Sequence, residues 1–331
     1  MAKVNDELQV PAALLAGLAE LGLEARAQAG ATAATGRAEV TVSRAAAAQR
    51  FDMLWGRGLR VSDLAGVPRG DLPRFVFTDY VPDTTGAAFR RAGVQYLDEA
   101  GNAWISFSSV LVDVRGRRRI GSTVRSMPRG NLFSPGSAQV VFALLAWPVL
   151  WRATRREVAH VAGVSLGKAH DALATLEGGG FGPDAMRRPD EDLLELWAAA
   201  YPAGLGRSLL LGTFHGSAEQ VRPIDRTDRL YISGEVAADS LLRPATLDVY
   251  VAELKPRLAL VNRWRTDGTP NIVVRRSFWR EPPDTRGPGG GGPVPAPWPL
   301  VYADLLASTD PRVRAAAREW KDRHAQSLWR P

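Results

Sequence analysis

Hydrophobic positions change period several times along the chain. Leu8, Leu14, Leu15, Leu18 and Leu21 recur at helical spacing and predict a helix within residues 1–30, followed by a turn at Ala31–Arg37. Short runs rich in β-branched or aromatic residues come next, at Ala38–Ser43, Phe51–Trp55, Phe75–Thr78, Val94–Leu97, Ala103–Phe107 and Val110–Val114. Gly, Pro, Asn or Asp bounds each run, which predicts strands. Thr84–Ala92 lies between two of them and predicts a short helix. Three strands, a helix and three strands make an α/β or α+β domain.

The period returns to that of a helix beyond an arginine-rich connector (Arg115, Arg117, Arg118, Arg119, Arg125, Arg129). Ser134 is placed to cap a helix to about Trp147, with Val140, Val141, Leu144 and Leu145 on its buried side. A helix at Glu191–Tyr201 carries Leu193, Leu194, Leu196 and Trp197, and a strand follows at Ser208–Phe214. The last third alternates again. Strands are expected near Arg229–Ile232, Thr246–Val251, Leu258–Val261 and Asn271–Arg275, with a helix at Glu235–Leu242. Gly287–Pro299 reads as a loop with neither helix nor strand. Leu300–Leu306 is an apolar segment, and a final helix at Pro311–Leu328 exposes Arg312, Arg314, Arg318, Lys321 and Arg323.

Thr154–Phe181 is the most informative stretch. Thr154 and Glu157 have the spacing of a capping box, and Val158 and Val161 give this helix an apolar side. Gly163 suits a left-handed helix end, Val164 packs beneath the turn, and Ser165 caps a second helix. Ala169, Leu173 and Leu176 form the buried side of that helix, and Gly178–Gly180 stop it. Together with the Ser134–Trp147 helix this is the layout of a helix-turn-helix, with a wing after Phe181. The second helix would offer Ser165, Gly167, Lys168, His170 and Asp171 to a major groove. Arg152, Arg155 and Arg156 flank the first helix, and Arg187 and Arg188 occupy the wing tip; these suit phosphates.

Composition agrees with such a partner. Lys and Arg number 42 against 35 Asp and Glu in 331 residues, a formal charge of +7. That excess favours an acidic partner, with nucleic acid first. The chain contains no cysteine, which excludes disulfides, iron–sulfur clusters, thiolate nucleophiles and sulfur-ligated zinc. His160, His170, His215 and His324 are scattered, so no metal site is expected. No signal peptide or stretch of membrane-spanning length is evident, and a cytoplasmic location with no membrane partner is expected.

Several runs carry a resemblance. Tyr80–Ile105 contains Gly93-Val94-Gln95-Tyr96-Leu97-Asp98 and Ala100-Gly101-Asn102-Ala103. After the helix-turn-helix come Ile232–Pro244, Phe278–Trp279 and Leu300–Leu306. Over roughly residues 75–310 the chain resembles the AbiEi-family antitoxin-like transcriptional regulators of type IV toxin–antitoxin systems. The resemblance implies a DNA-binding regulator that represses its own operon, and a family often paired with a nucleotidyltransferase-like toxin.

Two enzyme-like layouts lack their chemistry. The N-terminal region is similar to the restriction-endonuclease-like fold, but Arg50–Arg57 supplies Asp52 without a Glu-x-Lys pair, and Asp98, Asn102 and Asp113 do not complete a metal site. Asp98, Gly101 and Asn102 instead suit a hairpin turn. Ser233–Tyr250 resembles a nucleotidyltransferase core, yet Tyr250 stands where the second carboxylate after Asp248 is needed. Gly216–Ser217 supplies the phosphate-gripping dipeptide in form only, and Asp225 and Asp228 are three apart. Gly163–Lys168 imitates a phosphate-binding loop but is one residue short, with Ala169 in place of the hydroxyl.

The expected architecture is therefore an α/β (α+β) multidomain chain. Residues 1–130 form a non-catalytic, restriction-endonuclease-like α/β domain, and 131–205 a winged helix-turn-helix. Residues 206–331 form a degenerate nucleotidyltransferase-like α/β domain with a Gly/Pro-rich loop at 287–299. No catalytic residue, cofactor or metal is assigned. The expected partner is double-stranded operator DNA, and a cognate toxin or other protein and a homodimer are also admitted. The alternative is an enzyme acting on nucleic acid or nucleotides, a nuclease or nucleotidyltransferase, through a flanking domain.

Overall fold

A computed structural model describes residues 10–27, 36–67, 69–117, 132–178, 181, 191–219, 221–224, 229–282 and 292–325. The chain divides into two compact units, residues 1–129 and 130–331.

In the first unit seven strands lie side by side in chain order: β1 (Glu24–Ala27), β2 (Arg37–Arg44), β3 (Ala47–Trp55), β4 (Arg74–Thr78), β5 (Gln95–Asp98), β6 (Ala103–Phe107) and β7 (Val110–Val114). β3–β4 and β4–β5 pair in parallel, and the outer pairs are antiparallel. The helix α2 (Asp83–Arg91) makes the crossover between β4 and β5. The first helix, α1 (Ala12–Glu20), is shorter than its leucine pattern suggests. Gly22 takes φ +70° and Leu23 N–H bonds the Leu18 carbonyl, so the chain turns straight into β1. Leu14 and Leu18 pack on Val40, Phe51, Phe75 and Leu97 of the sheet.

The polar residues weighed as nuclease ligands are occupied in this unit. Arg37 Nε and Nη2 hold both oxygens of Asp52 at 2.7 and 2.8 Å. Asp98 accepts from Val81 N–H at 2.8 Å and from the backbone and side-chain amides of Asn102 at 2.8 and 2.9 Å. Asp98 and Asn102 thus lock the β5–β6 turn, where Gly101 has φ +84°. Asp113 pairs with Arg115.

The second unit holds α3 (Pro135–Ala146), α4 (Arg155–Ala162), α5 (Leu166–Gly178), α6 (Glu191–Ala200), α7 (Leu205–Ser208), α8 (Gly234–Ala237), α9 (Pro256–Val261), α10 (Trp298–Ala307) and α11 (Pro311–Ala325). Its sheet has the order β12-β9-β10-β11-β8, built from β8 (Leu210–Phe214), β9 (Tyr231–Ser233), β10 (Leu247–Val251), β11 (Ile272–Arg276) and β12 (Val294–Pro295). β10 and β11 are parallel. Alternation along them gives the sheet two unlike faces. Leu247, Val249, Val251, Ile272 and Val274 build an apolar core with Leu258 and Trp264. The intervening Asp248, Tyr250 and Arg275 enter a polar network with Tyr201 of the α6 end and Asp304 of α10.

Three sequence expectations are corrected here. Leu258–Val261 is helical, within α9, because Pro256 starts a helical turn and Asn262 Nδ2 closes it on the Leu258 carbonyl at 2.9 Å. The helix expected at Glu235–Leu242 stops at Ala237; Glu235 binds Ala245 N–H and the Thr246 hydroxyl. Gly287–Pro299 ends in regular structure. Val294 and Ala296 donate to the Leu230 and Ile232 carbonyls, with Pro295 between them on the sheet edge where no donor is needed, and Trp298 begins α10.

The expected boundary between residues 205 and 206 falls inside the second unit, because aromatic packing crosses it. Phe142 of α3 stacks on Trp197 at 5.5 Å and meets Phe278 at 4.9 Å and Trp279 at 5.5 Å. Trp197 Nε1 donates to the Ala138 carbonyl at 2.9 Å.

Candidate nucleic-acid interface

The site begins with Thr154. Its hydroxyl accepts from Glu157 N–H at 3.3 Å, and the Glu157 carboxylate accepts from Thr154 N–H at 2.7 Å. This reciprocal cap starts α4, and the Thr154 N–H and hydroxyl, which both donate to the Glu157 carboxylate, hold that carboxyl below the usual carboxylate range. Val158, Ala159, Val161 and Ala162 are buried. The end of α4 follows from Gly163, which has φ +68°. Gly163 N–H bonds the His160 carbonyl and Val164 N–H that of Ala159, the double bond of a Schellman turn.

Ser165 Oγ then accepts from Lys168 N–H at 3.3 Å and starts α5. Ala169, Ala172 and Leu176 are its buried positions; Leu173, expected among them, is half-buried. The burial stripe thus runs one residue earlier along the middle of the helix. α3, α4 and α5 pack mutually, as a helix-turn-helix requires. Ser134 precedes α3, but its hydroxyl donates to Ser137 Oγ at 3.1 Å instead of capping the backbone; Pro135 opens the helix.

Ser165, just before α5, and Gly167, Lys168, His170 and Asp171 on it are all exposed. A Cβ at Gly167 would meet no atom within 4 Å, so this spot is open. The Lys168 stem lies across the start of α3, 3.0 Å from where a Cβ on Gly136 would stand. Leu166, 51% exposed at the first position of α5, was absent from the sequence assignment. An apolar side chain there could meet a thymine methyl. Its signal in the sequence is its place directly after the Ser165 cap, where no core demand falls.

The flanking arginines differ in their engagement. Arg152 and Arg156 are exposed. Arg155 Nη1 lies 2.6 Å from His170 Nδ1, and its Nη2 3.8 Å from Glu177, so it ties the start of α4 to α5. Arg187 and Arg188 lie outside the described residues, as do Arg118, Arg119, Arg125, Arg129, Asp225 and Asp228.

Residues after β11 clasp the end of α4 and the turn that follows it. Arg280 N–H donates to the Val161 carbonyl at 2.8 Å, and Arg280 Nη1 to that of His160 at 3.0 Å. A Cβ on Gly163 would stand 2.3 Å from the Phe278 carbonyl oxygen. The segment 278–280 therefore fits only against a glycine turn, a contact between residues far apart in sequence.

Asp248, weighed for nucleotidyl transfer, is committed to an internal network together with Asp304. Asp248 pairs with Arg275 and abuts Gly234, where a Cβ would stand 2.6 Å from Oδ2. Asp304 accepts from Ser233 Oγ at 2.6 Å and Tyr250 OH at 2.9 Å, and Arg275 Nη1 lies 3.5 Å away. Tyr250 and Tyr201 hydroxyls meet at 2.6 Å. Burial first, and Asp248 second, push the Asp304 carboxyl up to about 7. Burial opposes the Arg275 charge, but Tyr250, Asp304 and Asp248 more than offset it and raise its pKa. Gly216 is held by Asn271 through bonds of 3.0 and 2.9 Å. No group of three or more His, Cys, Asp or Glu among the described residues could hold a metal, and no helix among them is long and apolar enough to cross a membrane.

Residues 188–326 match the family model described as transcriptional regulator, AbiEi antitoxin, type IV TA system. No curated protein and no solved structure matches the chain. The resemblance expected from the sequence holds over this C-terminal part, which takes in β8 to α11. Tyr80–Ile105 and the helix-turn-helix at 154–178 lie before the matched residues.

Proposed function

We propose that this chain is a sequence-specific DNA-binding transcription regulator of the AbiEi antitoxin type that represses its own operon, with α5 as the reading helix. One observation carries the reading: α5 is fixed to α3 and α4 by Ala169, Ala172 and Leu176, while Ser165, Leu166, Gly167, Lys168 and Asp171 face outward at its start. A helix N-terminus with small residues can enter a major groove, and its amides favour a nearby phosphate. Arg152 and Arg156 supply positive charge beside it. The family match supports regulation and a toxin–antitoxin context, whereas DNA reading is argued from the helices themselves.

No enzymatic role is part of this reading. Asp52, Asp98, Asp248 and Asp304 each serve an internal partner, which argues against a nuclease or nucleotidyltransferase using them. A toxin and a second copy of the chain are the protein partners it admits, the copy because such regulators read two half-sites as dimers. Footprinting the purified chain on the DNA upstream of its own gene tests the proposal. A protected site that competitor DNA of random sequence cannot clear supports it; uniform binding, or none, contradicts it.

A further inference from the structure

A cavity of about 440 Å³ lies at the carboxyl ends of the parallel strands β10 and β11, a size and place suited to a small ligand. Its lining is mixed: the apolar part comes from Leu230, Tyr231, Val251 and Leu258, all buried, and Trp279 forms one wall. Arg229, Glu253 and Lys255 line its exposed side, and Ser277 contributes a hydroxyl. Arg229 is held by the Tyr231 hydroxyl and by Glu281, which together raise its pKa.

The segment after β11 serves two sites at once. Ser277 and Trp279 line the cavity. The residues alternating with them, Phe278 and Arg280, touch Gly163 and hold the His160 and Val161 carbonyls of the helix-turn-helix. A ligand that displaces Ser277 or Trp279 must therefore load the turn between α4 and α5.

We propose that this cavity binds a small amphipathic monoanion, a compact apolar body bearing one carboxylate, and that its occupancy regulates the helix-turn-helix through residues 277–280. The apolar lining takes the body, and Arg229 and Lys255 take the head. Glu253, and Glu281 beside Arg229, disfavour a second negative charge, which selects a monoanion over a phosphate dianion. The regulatory half of this inference rests on the DNA-binding reading; the binding half does not.

The test uses the full chain and two dyes of like shape, the monoanion 8-anilinonaphthalene-1-sulfonate and the neutral N-phenyl-1-naphthylamine. The anion should bind one to one and about tenfold more tightly than the neutral dye, a gap within the range of one charge-assisted contact. Ser277→Phe, which fills the cavity, should abolish binding, and Lys255→Gln should weaken the anion alone. Bound anion should change hydrogen exchange at the Gly163, Val164 and Arg280 amides in wild type but not in Ser277→Phe. Equal binding of both dyes, indifference to both substitutions, or unchanged exchange at those amides would overturn the proposal. If Ser277→Phe does not fold, Lys255→Gln and the dye pair decide alone. A final gel shift with upstream DNA separates the two readings. Absent DNA binding with the dye results intact removes the DNA reading and leaves the site. DNA binding with failed dye results removes the site only, and DNA affinity indifferent to bound anion removes the regulatory half.

Discussion

Gly163 shows how much one residue carries. Its φ of +68° disfavours any side chain, and the Phe278 carbonyl leaves no room for one. Gly163→Ala should therefore lower the unfolding free energy by about 2 kcal/mol or more, beyond the ordinary cost of a left-handed alanine. A urea titration with a midpoint like that of wild type would contradict this. Asp304 makes a second prediction at the same scale. Its carboxyl, raised to about 7 by burial, keeps a proton in the folded state that the unfolded chain releases near pH 4, an ordinary aspartate value. Between those values the folded state binds more protons, so this residue's contribution to stability falls as pH rises from about 4 to about 7. Asp304→Asn should flatten the change of urea midpoint across that window; an identical slope in the variant would count against the burial argument.

At the scale of elements, the sequence was most readable where local chemistry decides. Thr154 with Glu157, Gly163 and Ser165 each act within a few residues of themselves, and the α4–turn–α5 layout follows from them. The β2 to β7 strands were legible for the same reason, since their β-branched and aromatic runs and the turn residues that bound them are local. Leu258–Val261 misled because four apolar residues suit a strand or a helical turn, and Pro256 decided for the turn. β12 was hidden because it exists only by pairing with β9, more than sixty residues earlier. The clasp by Phe278 and Arg280 was invisible likewise, as no local pattern announces a contact across 115 or more positions. Lys168 gives the prediction at this scale. Its stem rests across Gly136, which directs the ammonium to the joint face of α3 and α5. Lys168→Ala should weaken specific DNA binding by ~1–3 kcal/mol while leaving the urea midpoint near that of wild type. Unchanged affinity in an anisotropy titration would remove Lys168 from the interface.

For the whole molecule, the charge of +7 becomes an affinity only where arginines and lysines share a DNA-facing surface. With about five to eight phosphates neutralised, the log–log dependence of affinity on salt should have a slope of roughly −4 to −7. Arg155 is engaged with His170 and Glu177, so Arg156 is the cleaner probe. Arg156→Ala should flatten the slope by about one unit and weaken all sequences alike; a slope equal to that of wild type would place Arg156 away from phosphate. The central claim, that the start of α5 reads DNA, is tested most directly at Gly167. This position is open and helical, so Gly167→Glu should stabilise the fold by about 0.5–1 kcal/mol, since glycine is a poor helix residue and an acidic one suits a helix start. The same change places a carboxylate where a groove should enter. Stability and upstream-DNA affinity, measured on one preparation, should move in opposite directions: a higher urea midpoint with a dissociation constant at least about tenfold weaker. A variant that is as stable or more stable and binds that DNA as tightly as wild type would contradict the account.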